Sequence, residues 1–145
     1  MADHGWTWRT EKQIPSERGA GRRLIEEVLG KLKQHEWFDH DIFGVHLALE
    51  EALANAIRHG NGLDASKQVR ILCNVSRYCV RIEVEDEGQG FDPADVPDPT
   101  DDVRLEVASG RGIMLMRSFM SRVEYNESGN RVVLEKEIQR QSATS

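Results

Sequence analysis

The sequence lacks any long hydrophobic run. No apolar stretch approaches the roughly 18 residues of a membrane span. The first segment, Met1 to Thr10, is polar and contains tryptophan, without the basic start and apolar centre of a secretory signal. We therefore expect a cytoplasmic protein with no membrane partner.

Cysteine is scarce, since Cys73 and Cys79 are the only two in the sequence. Two cysteines do not make a disulfide framework in a domain of this size. Their spacing also lacks the paired ligands of a zinc site. We expect both to be small, buried core or sheet residues.

Positively charged residues are in the minority: the sequence has 19 Lys and Arg but 25 Asp and Glu, which gives a formal net charge of −6. This balance argues against nucleic acid as a direct partner. The length of 145 residues, with 39% hydrophobic and 30% charged residues, is typical of one globular domain. We expect a single domain over residues 1–145, with residues 139–145 as a frayed tail.

The first half of the chain predicts one strand and two helices. Alternation over residues 6–10 indicates a short strand, after which Ser16 is a candidate helix N-cap. Apolar residues at helical spacing predict a helix over residues 17–34. A second helix begins near Asp39 or Asp41, and Gly60-Asn61-Gly62 ends it with residues that tolerate left-handed conformations.

The second half of the sequence predicts a hairpin, then a long loop, and finally a short helix followed by two strands. Alternation over residues 69–75 and 78–84 gives the hairpin strands, and Tyr78 shares the parity of Val80, Ile82 and Val84. Residues 92–109 have no periodicity and hold three prolines, as in a functional lid or a disordered loop. A short helix follows Gly112, and strands cover residues 122–125 and 131–138. This order predicts an α+β fold, a two-layer α/β sandwich whose mixed, mostly antiparallel sheet has helices on one face.

The first chemical motif is EALAN on the second helix. Glu51 and Asn55 are four residues apart and about 40° apart around the axis, whereas Glu50 is about 140° from Asn55. An amide oxygen is a hard ligand for Mg²⁺, and a carboxylate can accept a proton from an attacking hydroxyl. Taken alone, the pair could equally be an incidental part of a solvated helix face.

The second motif, DEGQGF, follows the second hairpin strand. Asp86 continues the parity of Val80, Ile82 and Val84, so it should face the core, where a carboxylate needs hydrogen-bond donors. The exocyclic amine of adenine is one candidate donor. Gly88 and Gly90 would let the backbone approach a ligand closely, although an ordinary glycine turn is the alternative.

The third motif is Gly110-Arg111-Gly112 before the short helix. A helix start gathers free amides and the positive end of the helix dipole, which suits a phosphate. A plain N-cap turn would have the same sequence.

Taken in order, these motifs resemble those of the GHKL, or histidine-kinase-like, ATPase superfamily. Within it, EALANAIRHGN, VEDEGQGFDP and GRGIMLM are similar to the anti-sigma-factor serine/threonine kinases. The resemblance extends from about residue 6 to residue 138.

The resemblance implies a role for each motif residue. Glu51 would be the general base, Asn55 would bind the Mg²⁺ that bridges the ATP phosphates, and Asp86 would hold the adenine N6. Gly88 and Gly90 would shape the adenine pocket. Gly110, Arg111 and Gly112 would lie near the phosphates, and His59 would have a supporting role.

The resemblance also implies partners: a sigma factor, an antagonist protein bearing the target serine, and a second copy of the chain. Family members often carry a partner-contacting arginine in the first helix. Arg22 fits that position best, with Arg18 and Arg23 as alternatives or as ordinary helix surface.

Two other functions compete with the serine kinase. One is a nucleotide-gated binding module without kinase activity, against which Glu51 argues because pure adhesion needs no base. The other is a stand-alone catalytic domain of the histidine-kinase type. A metal site at His35, His40 and His46 is disfavoured, because their spacing does not match zinc.

Overall fold

A computed structural model describes residues 5–88 and 110–139 of the chain. It contains a five-stranded sheet in the order β1-β2-β3-β5-β4. Every strand pairing in these residues is antiparallel, so the α+β prediction is confirmed and the sheet is antiparallel rather than mixed. The strands are β1 (Trp8–Pro15), β2 (Gln68–Val75), β3 (Cys79–Glu85), β4 (Arg122–Tyr125) and β5 (Arg131–Glu137).

Three helices pack against one face of this sheet: α1 (Arg22–Gln34), α2 (Asp39–Ala54) and α3 (Gly110–Phe119). The central helix α2 is apolar on several sides because it lies between the sheet, α1 and α3. The inward positions of the sheet are fully buried, including Ile71, Ile82 and Leu134. The outward positions form ion pairs such as Arg70 with Glu11. The two-layer prediction is therefore confirmed.

The first helix begins later than its sequence pattern predicts. β1 continues to Pro15, because each of its residues pairs with β2 up to the Pro15–Gln68 pair. α1 then starts at Arg22, after a turn whose last residue is Gly21. Ser16 is not an N-cap: it is buried and donates a hydrogen bond to the carbonyl of Lys67 at 3.0 Å.

The second helix is confirmed, but its last turn is wider than an α-helical turn. A π-helical segment, Asn55–Gly60, follows α2. Asn61 is not left-handed, since its φ is −92°. The positive φ angles belong to Gly62 at 61° and Leu63 at 59°. Widened turns of this kind occur frequently at functional sites.

The hairpin is confirmed, with one wrong side-chain assignment. Tyr78 precedes β3 and is 53% exposed, so it does not share the inward parity of Val80, Ile82 and Val84. Both cysteines are buried strand residues, as predicted. The predicted lid over residues 92–109, together with Gly90 and the end of the tail, lies outside the described residues. No helix in the described ranges is long and apolar enough to cross a bilayer.

Candidate functional site

The site is built around the end of α2, where Glu51 and Asn55 lie one helical turn apart. Asn55 is only 7% exposed, and its Nδ2 makes no hydrogen bond of ordinary geometry among the described residues. Glu51 is half-buried, and this burial raises the pKa of its carboxyl, while the positive charge of Arg58 opposes the rise. The helix therefore presents a proton acceptor beside a buried amide that lacks a full complement of partners.

Glu51 also contacts the start of α3, which joins the first motif to the third. A Cβ added to Gly112 would lie 2.5 Å from Cδ of Glu51, far inside van der Waals contact. Only glycine lets the first turn of α3 approach this carboxylate so closely. Gly110, Arg111 and Gly112 together form that turn, inside the helix rather than ahead of it.

The second motif meets the same helix end from the sheet. Asp86 follows β3 and is 9% exposed, as its predicted inward parity requires. Burial raises the pKa of Asp86 to about 6, although the Gly88 N–H, which donates to its Oδ1 at 2.8 Å, opposes the rise. A Cβ on Gly60 would overlap the Asp86 carboxylate, and a Cβ on Gly88 would lie 2.5 Å from the carbonyl carbon of Gly60.

A buried hydrogen-bond network centred on Asn61 fixes this arrangement. Asn61 Nδ2 donates to Ser16 Oγ at 2.6 Å and to the Gln68 carbonyl at 2.9 Å. Its Oδ1 accepts from the Glu87 N–H at 2.7 Å. Asn61 thus ties together the end of the π-helical segment, the β1 end, the β2 start and the Asp86 loop. No periodicity in the sequence indicates that Asn61 joins these segments, because an asparagine between two glycines is also typical of a helix C-terminus.

Tyr125, the last residue of β4, is a second residue that the sequence did not single out. Burial raises the pKa of its hydroxyl to about 12, and a donor interaction from Asn55 opposes that rise. The charges of Glu51 and Asp86 also raise the pKa of this hydroxyl, and the charge of Arg117 lowers it. The sequence pattern around Tyr125 is that of any alternating strand, so it gives no sign that this residue differs from other strand residues.

The candidate partner-contacting arginines separate onto two surfaces. Arg18 and Arg22 line a groove between α1 and α2, whose wall includes Ile57 and Arg58 of the π-helical segment. Arg23 instead lines a different groove, toward β1. Arg22 and Arg18 therefore share a surface with the last turn of the site helix, and Arg23 does not.

The three histidines considered as metal ligands, His35, His40 and His46, each contact a nearby residue of the chain. His46 Nε2 lies 3.3 Å from Glu50 Oε2, and His40 Nε2 lies 3.5 Å from Asp41 Oδ2. The Nδ1 of His35 lies 2.6 Å from the Lys31 carbonyl oxygen. His35 follows α1, whereas His40 and His46 lie on α2, and each of these contacts is local to its own helix.

The described parts of all three motifs thus converge on one end of α2. The arrangement offers a proton acceptor, an amide, a buried carboxylate and a helix start within one region, with glycines where other side chains would collide. A buried carboxylate can accept a hydrogen bond from a ligand amine, and a helix start can bind an anion. Gly90 lies outside the described residues and is not placed by this geometry.

Comparison with known proteins gives consistent results. The sequence profile of the histidine kinase-like ATPase domain matches residues 14–136. The chain is similar to the anti-sigma F factor of Clostridium novyi (strain NT), with 36% identity over 104 residues, 68% of this chain and 72% of the relative. The anti-sigma F factor of Clostridium perfringens (strain SM101 / Type A) is 34% identical over 104 residues, 68% of this chain and 74% of the relative.

A solved structure supports the fold alone. It contains the RsbU and RsbW domains of a Mycobacterium tuberculosis protein and aligns with a TM-score of 0.64 over 94% of this chain, at 17% identity. The chain spans 34% of that longer protein.

Proposed function

The chain belongs to the histidine kinase-like ATPase domain family, and within it we propose that it is an ATP-dependent anti-sigma-factor serine kinase. It would bind a sigma factor and phosphorylate a serine on an antagonist protein. The similar proteins named anti-sigma F factor support this choice within the family. The observation that carries the proposal is the position of Glu51, half-buried against Gly112 and one turn from Asn55.

Glu51 would act as the general base. Burial raises the pKa of its carboxyl, which makes the carboxylate a better proton acceptor than an exposed glutamate. It would take the proton of the serine hydroxyl while the serine oxygen bonds to the γ-phosphorus. The bond between that phosphorus and the β–γ bridging oxygen would break, releasing ADP.

Asn55 would hold Mg²⁺ through its amide oxygen, a ligand that this hard cation accepts readily. The residues fit such an ion, because Asn55 is a buried amide one helical turn from the Glu51 carboxylate, and its Nδ2 lacks an ordinary hydrogen bond among the described residues. The ion would supply charge neutralisation for the phosphates. Gly110, Arg111 and Gly112 would lie near these phosphates at the start of α3.

Asp86 would accept a hydrogen bond from the adenine amine. Its carboxylate is buried and accepts a hydrogen bond from the Gly88 N–H, and a carboxylate can accept more than one such bond. Gly88 packs against the backbone of Gly60, which shapes this wall of the adenine pocket. We assign Gly90 to the same pocket from its motif alone.

Arg22 would contact a protein partner. It lies at the first residue of α1 and lines the groove beside the π-helical segment. A partner seated there would lie next to the helix that carries Glu51, as delivery of a serine hydroxyl requires. Arg18 lines the same groove and is the alternative contact.

Transfer of radiolabelled phosphate from ATP to candidate antagonist proteins tests the proposal. Glu51→Ala should leave Mg·ATP binding nearly intact and reduce transfer by about 10²–10⁴-fold, the usual cost of losing a general base. Asn55→Ala should weaken both Mg·ATP binding and phosphate transfer, because the metal that holds the phosphates would lose a ligand.

Glu50→Ala is the matched control. Glu50 is adjacent in sequence but points away from Asn55 and pairs with His46 at 3.3 Å. The antagonist concentration is varied up to saturation. A variant that only weakens docking of the antagonist then raises KM and leaves kcat unchanged. If Glu51→Ala is as fast as the parent, Glu51 is not the base. If the parent binds ATP and a sigma factor but phosphorylates no antagonist, the chain is a nucleotide-gated binding module.

A further inference from the structure

Lys136 is a charged residue that none of the three sequence motifs explains. It continues the inward alternation of Val132 and Leu134 on β5, so it faces the helix layer and not the outer face of the sheet. Its side chain is only 17% exposed. A lysine in such a position needs partners that offset the loss of water around its ammonium.

The ammonium of Lys136 contacts two helices at once. Its Nζ donates a hydrogen bond at 2.6 Å to the carbonyl of Phe119, the last residue of α3. The same Nζ lies 3.6 Å from Oδ1 of Asp41, which is in the first turn of α2 and is 12% exposed. A helix C-terminus has carbonyls without intrahelical partners and the negative end of the helix dipole, so a cation there is favourable. Lys136 therefore joins the end of α3, the start of α2 and the sheet.

The same end of α3 lies on a glycine of α2. A Cβ added to Gly44 would be 3.0 Å from Cδ1 of Phe119, and at the other end of the two helices Gly112 lies against Glu51. Gly44 and Glu51 are seven residues apart on α2, as are Gly112 and Phe119 on α3, which is roughly 10 Å along a helix. α3 is thus antiparallel to α2 and contacts it at two points, each of which includes a glycine.

The two ends of α3 are not independent, because a short helix moves as one hydrogen-bonded body. If the Phe119 carbonyl shifts away from Lys136, Gly112 must shift relative to Glu51. A buried ion pair adds little net stability, since apolar residues of similar volume often replace it without loss. The pair of Lys136 and Asp41 is therefore explained better by the helix placement that it fixes.

We propose that Lys136 is a positioning residue, whose ammonium holds the C-terminal end of α3 at the start of α2 and thereby sets where Gly112 lies against Glu51. The inference rests on the proposed function, because it gives Glu51 a role in phosphate transfer. It extends that function to a lysine of the sheet that lies at the opposite end of α3 from the site.

Phosphate transfer at varied antagonist concentration tests the proposal by separating kcat from KM. Lys136→Met keeps the aliphatic stem but removes the donor to Phe119. It should lower kcat by about 10- to 100-fold, the scale on which small displacements of reacting groups act. KM for the antagonist should stay unchanged, because the groove that holds Arg22 is lined by α1, α2 and the segments next to them.

Two further lysine variants complete this measurement. Lys136→Arg keeps the charge and the donors and should restore most of kcat. Lys33→Met is the matched control, since Lys33 is an exposed lysine in the last turn of α1 and should be replaceable without loss. If Lys136→Met transfers phosphate with the kcat of Lys33→Met, the proposal is wrong.

A double variant separates positioning from stability. Lys136→Met leaves Asp41 without its counter-charge, so it should also unfold at a lower urea concentration. The combination of Asp41→Asn with Lys136→Met removes both charges and should regain the parent's urea midpoint, yet Phe119 still lacks its donor and kcat should stay low. If kcat recovers together with stability, Lys136 only neutralises a buried charge, and the proposal fails. The double variant also serves where Lys136→Met alone does not fold.

The amide resonance of Gly112 gives a readout that does not need kinase activity. In nucleotide-free protein, it should move in both variants that carry Lys136→Met, but not in Lys33→Met. Gly112 is about two helical turns from Phe119, so a purely local effect of the substitution does not reach it. A Gly112 resonance that stays in place in both variants would overturn the proposal. If it moves but the parent phosphorylates no antagonist, the proposed function fails while the placement of Gly112 by Lys136 stands.

Discussion

The carboxylate of Glu51 rests directly on the backbone of Gly112, so that a Cβ at position 112 would lie 2.5 Å from Glu51 Cδ. This contact links the last turns of α2 to the first turn of α3. The orientation of Glu51 therefore depends on a residue that has no side chain. Any larger residue at position 112 must displace either the carboxylate or the helix start.

Gly112→Ala should reduce phosphate transfer, because the added methyl forces Glu51 out of its present orientation. We expect a decrease of about 10- to 100-fold in kcat, the scale on which small displacements of reacting groups act. The radiolabelled transfer assay measures it.

Gly30→Ala is the control for the loss of a helical glycine. Gly30 lies within α1, and a Cβ there meets nothing within 4 Å. This variant should keep full activity and gain about 0.5–1 kcal/mol in the free energy of unfolding. Wild-type transfer by Gly112→Ala would show that the contact with Glu51 has no catalytic importance.

Nucleotide affinity should depend on pH through Asp86. Burial raises the pKa of this carboxyl to about 6, so acidification protonates it and removes the acceptor of the adenine amine. Between pH 7.5 and 5.5, this loss of the ionised form should weaken binding on the order of fourfold.

The Asp86→Asn variant separates this effect from titration of the nucleotide phosphates. It should bind more weakly at pH 7.5, by on the order of 1.5–3 kcal/mol, because it lacks the charge-assisted bond. At each pH, the ratio of the parent's affinity to that of Asp86→Asn removes the effect of phosphate titration, which is common to both proteins. A ratio that is constant from pH 7.5 to 5.5 would contradict the role of Asp86.

The same carboxylate should destabilise the protein without nucleotide. Because burial raises its folded pKa from the ordinary value of 3.8 to about 6, the folded state holds a proton that the unfolded chain releases in this pH range. Stability from this group is therefore present below about pH 4 and is lost as pH rises to about 6. The free energy of unfolding of Asp86→Asn, relative to the parent, should rise through that window by on the order of 1–3 kcal/mol. Urea denaturation at several pH values measures this difference, which should stay constant above about pH 7.

Periodicity was sufficient to predict the main elements of the described fold. The strands Gln68–Val75 and Cys79–Glu85 alternate because one face of the sheet is buried, and the same alternation placed Asp86 correctly. The spacing of Glu51 and Asn55 likewise placed both on one side of α2. These are local relationships, in which the backbone geometry of one element determines where its side chains lie.

Two of the wrong or missing assignments, at Ser16 and Tyr125, depend on contacts between distant parts of the chain. The sequence predicts a helix cap at Ser16, but β1 pairs with β2 through Pro15, and Ser16 is buried beside the start of β2. Tyr125 belongs to the site only because β4 lies at the edge of the sheet beside α3. No pattern within β4 alone encodes that neighbour.

Asn61 is the clearest case of a residue whose importance comes from such contacts, and its replacement should affect both stability and binding. Asn61→Ala removes the acceptor of the Glu87 N–H and the donor to the Gln68 carbonyl, and both groups would be left unsatisfied. We expect a loss of about 1–3 kcal/mol in the free energy of unfolding, because these hydrogen bonds are only partly buried and water can reach the abandoned groups. ADP affinity should fall as well, because Glu87 lies between Asp86 and Gly88.

Two serine variants test whether the loss comes from the network rather than from the region. Ser16→Ala removes one partner of Asn61 and should cost about 1 kcal/mol, whereas Ser66→Ala alters only an exposed turn and should be close to neutral. Urea denaturation and ADP titration measure both quantities for each variant. If Asn61→Ala is no more destabilising than Ser66→Ala, the network does not hold the Asp86 loop. If Asn61→Ala is destabilised but binds ADP as the parent does, the loop keeps its shape without the Asn61–Glu87 bond, and Asp86 must be positioned by β3 and the Gly60–Gly88 contact alone.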